Sequence, residues 1–403
     1  MSIHRWLLTV RSTPWRWTTF TLATSAMLFT HFASHAAGHW VPARDSEVVE
    51  VLRERPASEQ DKAWRALRVQ ARAQPANVSL AVAVASQALQ WSRLDGDPRW
   101  LGQAQGALGH WWAQPSPPAE VRLLRATLLQ SNHDFDAALR DLRALVQLPP
   151  DGLTAQQRTQ AWLTLATVLQ VTAQYDDAQR ACEALATVAS AWLSQVCALE
   201  LRSQRGDAQA AQKGLEELAQ QAPREWAGHL QLVRAELAER QGQGREAALL
   251  YQTLLLRQAD AYTEGAYADL LLDQGRAAEV LTLLKGRERN DALLLRLAEA
   301  GAQTKDTANA ARVSALRARF AAARERGDTV HRREEARFTL RLLGQPAQAL
   351  KLAQRNWQVQ KEPADARILL EAARAAGHEA SIAEVRAFVR QWGWSDRRLE
   401  ALL

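Results

Sequence analysis

The chain has 403 residues, 50 of them basic and 44 acidic, for a formal charge of +6, with two cysteines, fifteen tryptophans and four tyrosines. A length of this order ordinarily means two or three domains. So mild a basic excess, without a nucleic-acid-binding motif, argues against a nucleic-acid partner.

Residues 1–36 read as a secretory signal peptide. His4, Arg5, Arg11 and Arg16 precede an apolar, Thr-rich run from Trp17 to about Phe32, and no acid occurs before Asp45. Small residues follow at Ser34, Ala36, Ala37 and Gly38. A charged start, a short apolar middle and a small-residue exit are the parts of an export signal, so cleavage is expected after Ala36 or Gly38. The run is short and hydroxylated for a membrane span, although an uncleaved anchor is the alternative. Export would place the protein in the periplasm or outside the cell, and removing the segment lowers the formal charge to +3.

Residues 37–76 are expected to form an N-terminal extension and a capping helix, and residues 77–403 an array of paired helices. Alanine, leucine, glutamine and arginine dominate and β-branched residues are sparse, which favours helix throughout and predicts no strand. Residues 80–108 are helical but irregular. Residues 120–150 carry Leu123, Ala126 and Leu129, a turn at Asn132–Phe135, then Ala138, Leu142 and Leu145. Residues 161–184 carry Trp162, Leu165, Ala166 and Leu169, then Tyr175, Ala178 and Cys182, with Leu185 following. A weaker copy spans 192–223, turning at Gly206–Asp207. The next, 229–255, carries Leu232, Ala235 and Ala238, then turns at Gly242 before Ala247, Tyr251 and Leu254. Residues 262–285 carry Ala268 and Leu271, turn at Gly275, then Val280 and Leu284. A further copy spans 335–363 with its turn at Gly344–Pro346, and 365–389 closes the pattern. Neither helix of a pair can bury its apolar face alone, so the copies must stack. Tryptophans are expected as wedges between the helices.

Cys182 and Cys197 are the cysteines, one on the second helix of one copy and the other on the first helix of the next. An antiparallel fold about Ser190 brings them opposite each other, which in an exported chain predicts a disulfide. The stretch 312–341 is rich in arginine, with Arg317, Arg319, Arg324, Arg326, Arg332, Arg333, Arg337 and Arg341, but also holds Glu325, Asp328, Glu334 and Glu335. A solvated helix face with local ion pairs is expected there. In the segment from Asn356 to Arg367, Pro363 is expected to start a helix, with Asn356 and Asp365 capping or bridging the junction.

These copies resemble the tetratricopeptide repeat family. Trp162-x-x-Leu165-Ala166-x-x-Leu169 is the nearest match to that family's first-helix motif, with Ala in place of Gly and Leu in place of the later Tyr. The resemblance covers roughly residues 77–390 and implies an all-α, right-handed superhelical solenoid that binds rather than catalyses. It also implies that first helices line a concave groove, making Gln130, Thr167, Gln170, Glu236, Glu239 and Asp269 the groove candidates. Their run from neutral to acidic would suit an extended peptide with a basic side chain.

No Gly-x-Ser-x-Gly, P-loop, His-Glu-x-x-His or Cys-x-x-Cys occurs. The nine histidines are scattered without ligand spacing, so no metal or other cofactor is expected. The chain has no Glu-Ser dipeptide, which sets it apart from exported helical lytic transglycosylases. The expected function is therefore a non-enzymatic envelope scaffold that holds a peptide or partner protein. A membrane-proximal adaptor using the arginine-rich stretch on anionic lipid or a membrane protein is the alternative.

Overall fold

The computed structural model describes Arg44, residues 58–328 and residues 330–403. The expected signal peptide and the part of the extension before residue 58, Arg44 apart, lie outside the described residues. Among those that are described, every regular element is helical.

Helix α1 (Glu59–Ala73) belongs to the predicted capping region. Its start is fixed by a reciprocal cap: the Ser58 amide donates to Asp61 Oδ2 and the Asp61 amide to Ser58 Oγ. The chain divides at Arg68, and residues 69–403 fall within one compact unit.

Within that unit eighteen helices form nine hairpins in chain order. They are α2 (Val78–Asp95) with α3 (Arg99–Ala107), α4 (Ala119–Ser131) with α5 (Phe135–Val146), and α6 (Ala155–Val171) with α7 (Tyr175–Val188). Then come α8 (Ala191–Gln204) with α9 (Ala208–Ala219), α10 (Ala227–Arg240) with α11 (Gly244–Arg257), and α12 (Ala261–Asp273) with α13 (Ala277–Leu283). The last three are α14 (Asp291–Thr304) with α15 (Asn309–Glu325), α16 (Arg332–Arg341) with α17 (Pro346–Val359), and α18 (Pro363–Ala376) with α19 (Glu379–Trp392). A short α20 (Arg397–Glu400) follows. The six copies read from the sequence correspond to six of these pairs, the helical stretches 80–108 and 365–389 fall on α2–α3 and α18–α19, and α14–α15 corresponds to no copy.

One backbone device repeats in all nine hairpins. Each turn holds a residue in the left-handed region: Gly96, His133, Ala173, Gly206, Gly242, Gly275, Lys305, Gly344 and Gly377. A left-handed residue after a helix reverses the chain and lets its amide satisfy carbonyls that the helix leaves open. Glycine takes this conformation without steric cost, whereas His133, Ala173 and Lys305 do so at a cost of about 1–2 kcal/mol each. Seven positions before the turn residue, Ala126, Ala166, Ala235, Ala268 and Ala298 are all buried. A small side chain there lets the second helix lie close. This small-residue-to-turn spacing is the spacing of the hairpin itself.

The hairpins pack on their sequence neighbours, and the first and third also meet the seventh and ninth, six further on, while the fourth meets the segment that follows the ninth. At the first turn, the Asn290 side-chain amide at the start of α14 donates to Asp95 O at 3.3 Å. At the third, the Lys361 amide just before α18 donates to Val171 O at 2.7 Å. At the fourth, the Ser395 amide just before α20 donates to Gln204 O at 3.2 Å. One apolar cluster runs through both sets, from Phe135, Leu163 and Leu185 to Trp357, Leu369 and Trp394. Trp394 lies edge-on to Trp357 and Phe388, and its Nε1 donates to Tyr175 Oη at 3.1 Å. This indole wedges between distant hairpins, not only between adjacent helices.

The predicted disulfide is present. Cys182 on α7 and Cys197 on α8 are bonded, with their Cα atoms 5.4 Å apart. Ser190 is the N-cap of α8, its Oγ accepting from the Leu193 amide, so the chain reverses where expected. Pro363 is likewise the first residue of α18.

Candidate functional site

The groove candidates all lie on first helices of hairpins. Gln130 on α4, Thr167 and Gln170 on α6, and Glu236 and Glu239 on α10 are buried, at 8 % exposure or less. Asp269 on α12 keeps a quarter of its side chain exposed. Thr167 turns its hydroxyl back to Leu163 O at 3.0 Å. Tyr262 Oη donates to Glu236 at 2.5 Å, and Tyr251 Oη donates to Glu239 at 2.8 Å. Arg398 of α20 also reaches Glu239. Burial pushes the Glu239 carboxyl above its ordinary range, opposed by Arg398 and the Tyr251 hydroxyl. The six residues therefore do not form one open, acidic strip.

The predicted basic stretch divides in the same way. Arg333, Arg337 and Arg341 recur every fourth residue along α16 and so share one face. Arg333 meets Glu362 at 2.7 Å and Asp365 at 3.3 Å. Arg319 pairs with Asp291 at 2.6 Å, and Arg324 with Glu335. Arg317 and Arg326 face solvent. The expected solvated face with local ion pairs is, along α16, a partly buried face whose carboxylate partners come from helices distant in sequence.

Those carboxylates build a continuous ladder across four first helices, α12, α14, α16 and α18. Arg296 contacts Asp269 at 2.5 Å, and Asp269 also meets Arg337 at 2.7 Å. Arg337 grips Glu299 through two bonds of 2.6 and 2.5 Å. Arg341 joins Glu299 at 3.3 Å to Glu371 at 2.7 Å. Arg367 ends the ladder, 2.8 Å from Glu371 and 2.6 Å from Asp273. Four arginines thus face four carboxylates, with no net charge. Burial raises the Asp269 carboxyl, but Arg296 and Arg337 outweigh it and hold the group below the usual carboxylate range. Beside the ladder lies a cavity of about 370 Å³ lined by Asp273, Glu299, Arg341 and Arg367. Sequence reading named only Asp269 of the four acids, because single carboxylates on separate helices have no common spacing.

The junction from Asn356 to Asp365 both caps and bridges. Asp365 accepts from Asn356 Nδ2 at 2.7 Å, Gln360 Nε2 at 2.8 Å and the Glu362 amide at 2.9 Å. Lys361, whose amide docks on α6, places its ammonium 4.7 Å from the centre of the Trp357 ring.

Among the described residues no helix is long and apolar enough to cross a membrane. No group of three or more His, Cys, Asp or Glu placed to hold a metal occurs among them either. Comparison with protein-family models and with curated proteins finds no match.

Proposed function

We propose that the chain is an exported scaffold that binds a partner protein or peptide of the cell envelope and catalyses no reaction. The observation that carries the reading is the neutral ladder on α12, α14, α16 and α18, which borders a cavity and remains partly exposed. Alternating guanidinium and carboxylate groups along one line suit a segment bearing both signs of charge, held by exchanged ion pairs. Glu236 and Glu239, buried and internally bonded, contribute to shaping the inner face; Asp269 and its neighbours in the ladder meet the partner. A tetratricopeptide-like, right-handed superhelix is the proposed architecture, supported by the left-handed turn in every hairpin and the docking six hairpins apart.

Export is supported by the disulfide and by the charged, apolar and small-residue order of residues 1–36. N-terminal sequencing of the mature protein tests it, with a new terminus at Ala37 or His39 expected and a retained Met1 in the membrane fraction contradicting it. The adaptor reading has less support, since Arg319, Arg324, Arg333, Arg337 and Arg341 are engaged in internal ion pairs.

The test of binding is capture from envelope extract by the protein and by a variant combining Asp273→Ala with Arg367→Ala. Removing both partners together leaves no lone charge of the pair, and Glu371, which Arg367 also contacts, keeps Arg341. The folded variant is expected to lose the partner. Retention by this variant, with loss on Arg317→Gln plus Arg326→Gln, would transfer the function to the basic stretch.

A further inference from the structure

The second cavity of the compact unit lies away from the ladder, where the turn of the fourth hairpin meets the end of α19. Its volume is about 400 Å³, and Arg202, Arg205, Asp207, Arg390 and Trp392 line it. Arg202 is paired with Asp207, which leaves Arg390, without a carboxylate among the described residues, and Arg205, whose one ion pair is a long one, as the cations free to take a ligand. The Arg205 guanidinium lies over both Tyr175 and Trp392, 5.5 Å from each ring centre. Those rings meet edge-to-face at 4.8 Å. Stacking fixes the plane of the guanidinium without using its N–H donors. Its only carboxylate neighbour among the described residues is Asp176, at a loose 3.9 Å. Arg390 sits in the last turn of α19 and has no carboxylate partner among the described residues.

Two helix C-termini converge here, since Arg205 caps α8 and Gly393 caps α19. The negative ends of their dipoles favour the two cations and oppose an anion, so an anion would be held by the guanidinium donors alone. One cation comes from the fourth hairpin and the other from the ninth, so a bound group would join the two docked layers.

The geometry points to a binding site for an oxyanion, either a carboxylate or a phosphate, held by Arg205 and Arg390 in a charge-assisted fork. Stacked Arg205 is the preorganised member, and exposed Arg390 completes the clamp. This site is separate from the ladder, and its fate does not depend on the scaffold reading.

Thermal unfolding of the oxidised mature protein is followed at fixed ionic strength, with sodium chloride exchanged for inorganic phosphate in one arm and for succinate in the other. The midpoint is expected to rise saturably in at least one arm, because an anion that binds only the folded state stabilises it. A rise in the phosphate arm alone assigns a phosphate site, and one in the succinate arm alone a carboxylate site. Arg390→Gln, exposed and free of structural bonds, should weaken that binding by about tenfold, the worth of one charge-assisted hydrogen bond. Arg326→Gln, on a different hairpin, should leave it unchanged. No rise with either anion, an Arg390→Gln response equal to that of the unaltered protein, or equal weakening by Arg326→Gln would overturn the assignment.

Discussion

The hairpins α4 to α11 and the hairpins α12 to α19 share a backbone plan but solve their inner faces differently. In the first set, hydroxyls fold back on their own helix. Thr127 donates to Leu123 O at 2.9 Å, Thr164 to Gln160 O at 2.8 Å and Ser131 to Thr127 O at 2.9 Å. The buried Arg125–Asp141 pair joins the two helices of a single hairpin. In the second set, arginine and carboxylate side chains cross from one first helix to the next. A back-bonded hydroxyl needs nothing from a neighbouring hairpin, so the first set is aligned by its apolar cluster, its disulfide, docked turns and single contacts such as Arg240 Nη2 to Ser203 Oγ at 2.8 Å. The second set aligns itself through charge, at the cost of desolvating every member of the ladder.

The largest effect expected from breaking this contrast is at Glu299, 5 % exposed and shared by Arg337 and Arg341. Glu299→Ala leaves Arg337 with Asp269 alone and Arg341 with Glu371 alone, and should destabilise toward the lower end of about 3–5 kcal/mol, measured by urea unfolding. Thr167→Val, its counterpart in the first set, should cost about 1 kcal/mol, the worth of one neutral hydrogen bond. Equal losses would erase the distinction.

Next in size is the covalent link. Replacing Cys182 and Cys197 with serine should cost about 3 kcal/mol for a loop of this length in the chain-entropy model, and reduction of the unaltered protein should match it. Insensitivity of the unfolding midpoint to reductant would mean that turn docking suffices.

Smaller than the loss of Glu299 or of the disulfide are the effects of pH. Burial raises the Glu334 carboxyl, but Arg333 and His331 outweigh it and hold it at about 2, against an ordinary 4.5. Its stabilisation is complete above the unfolded value and is lost as pH falls from about 4.5 toward 2. Burial, reinforced by the charge of Arg333, pushes the His133 imidazole down to about 4. Unfolded chains bind that proton near pH 6.5, so stability should fall as pH drops from about 6.5 to 4 and level off below. With His133 only half-buried, this amounts to about 1–2 kcal/mol. His133→Gln should flatten the upper window while leaving the lower one; an unchanged profile would separate His133 from Arg333.

The helices were legible because local signals and packing agree. Alanine seven positions before a turn, and glycine in six of the nine turns, mark hairpins wherever both occur. The turns at His133 and Ala173 lack glycine too and are legible from their apolar pattern alone; at α14–α15, which turns at Lys305, the second helix carries Arg312, Arg317, Arg319 and Arg324, and the charge masks the pattern. The disulfide was legible because its two cysteines lie on adjacent helices about one turn. Partners of the groove candidates were not, because Arg398 lies 159 residues from Glu239 and Arg337 is on a different hairpin from Asp269. Such pairings are set by which hairpins dock, and a repeat read one copy at a time holds no record of that.

Docking between hairpins six apart is read most directly by amide hydrogen exchange. The Lys361 and Ser395 amides lie outside helices and donate to Val171 O and Gln204 O of hairpins far away in sequence. A loop amide without such an acceptor exchanges with little protection. Docking predicts that both exchange slowly, at rates comparable to the helical amides of α18, and that Trp394→Ala releases Ser395 first. Exchange of both at unprotected loop rates in the intact protein would contradict the account.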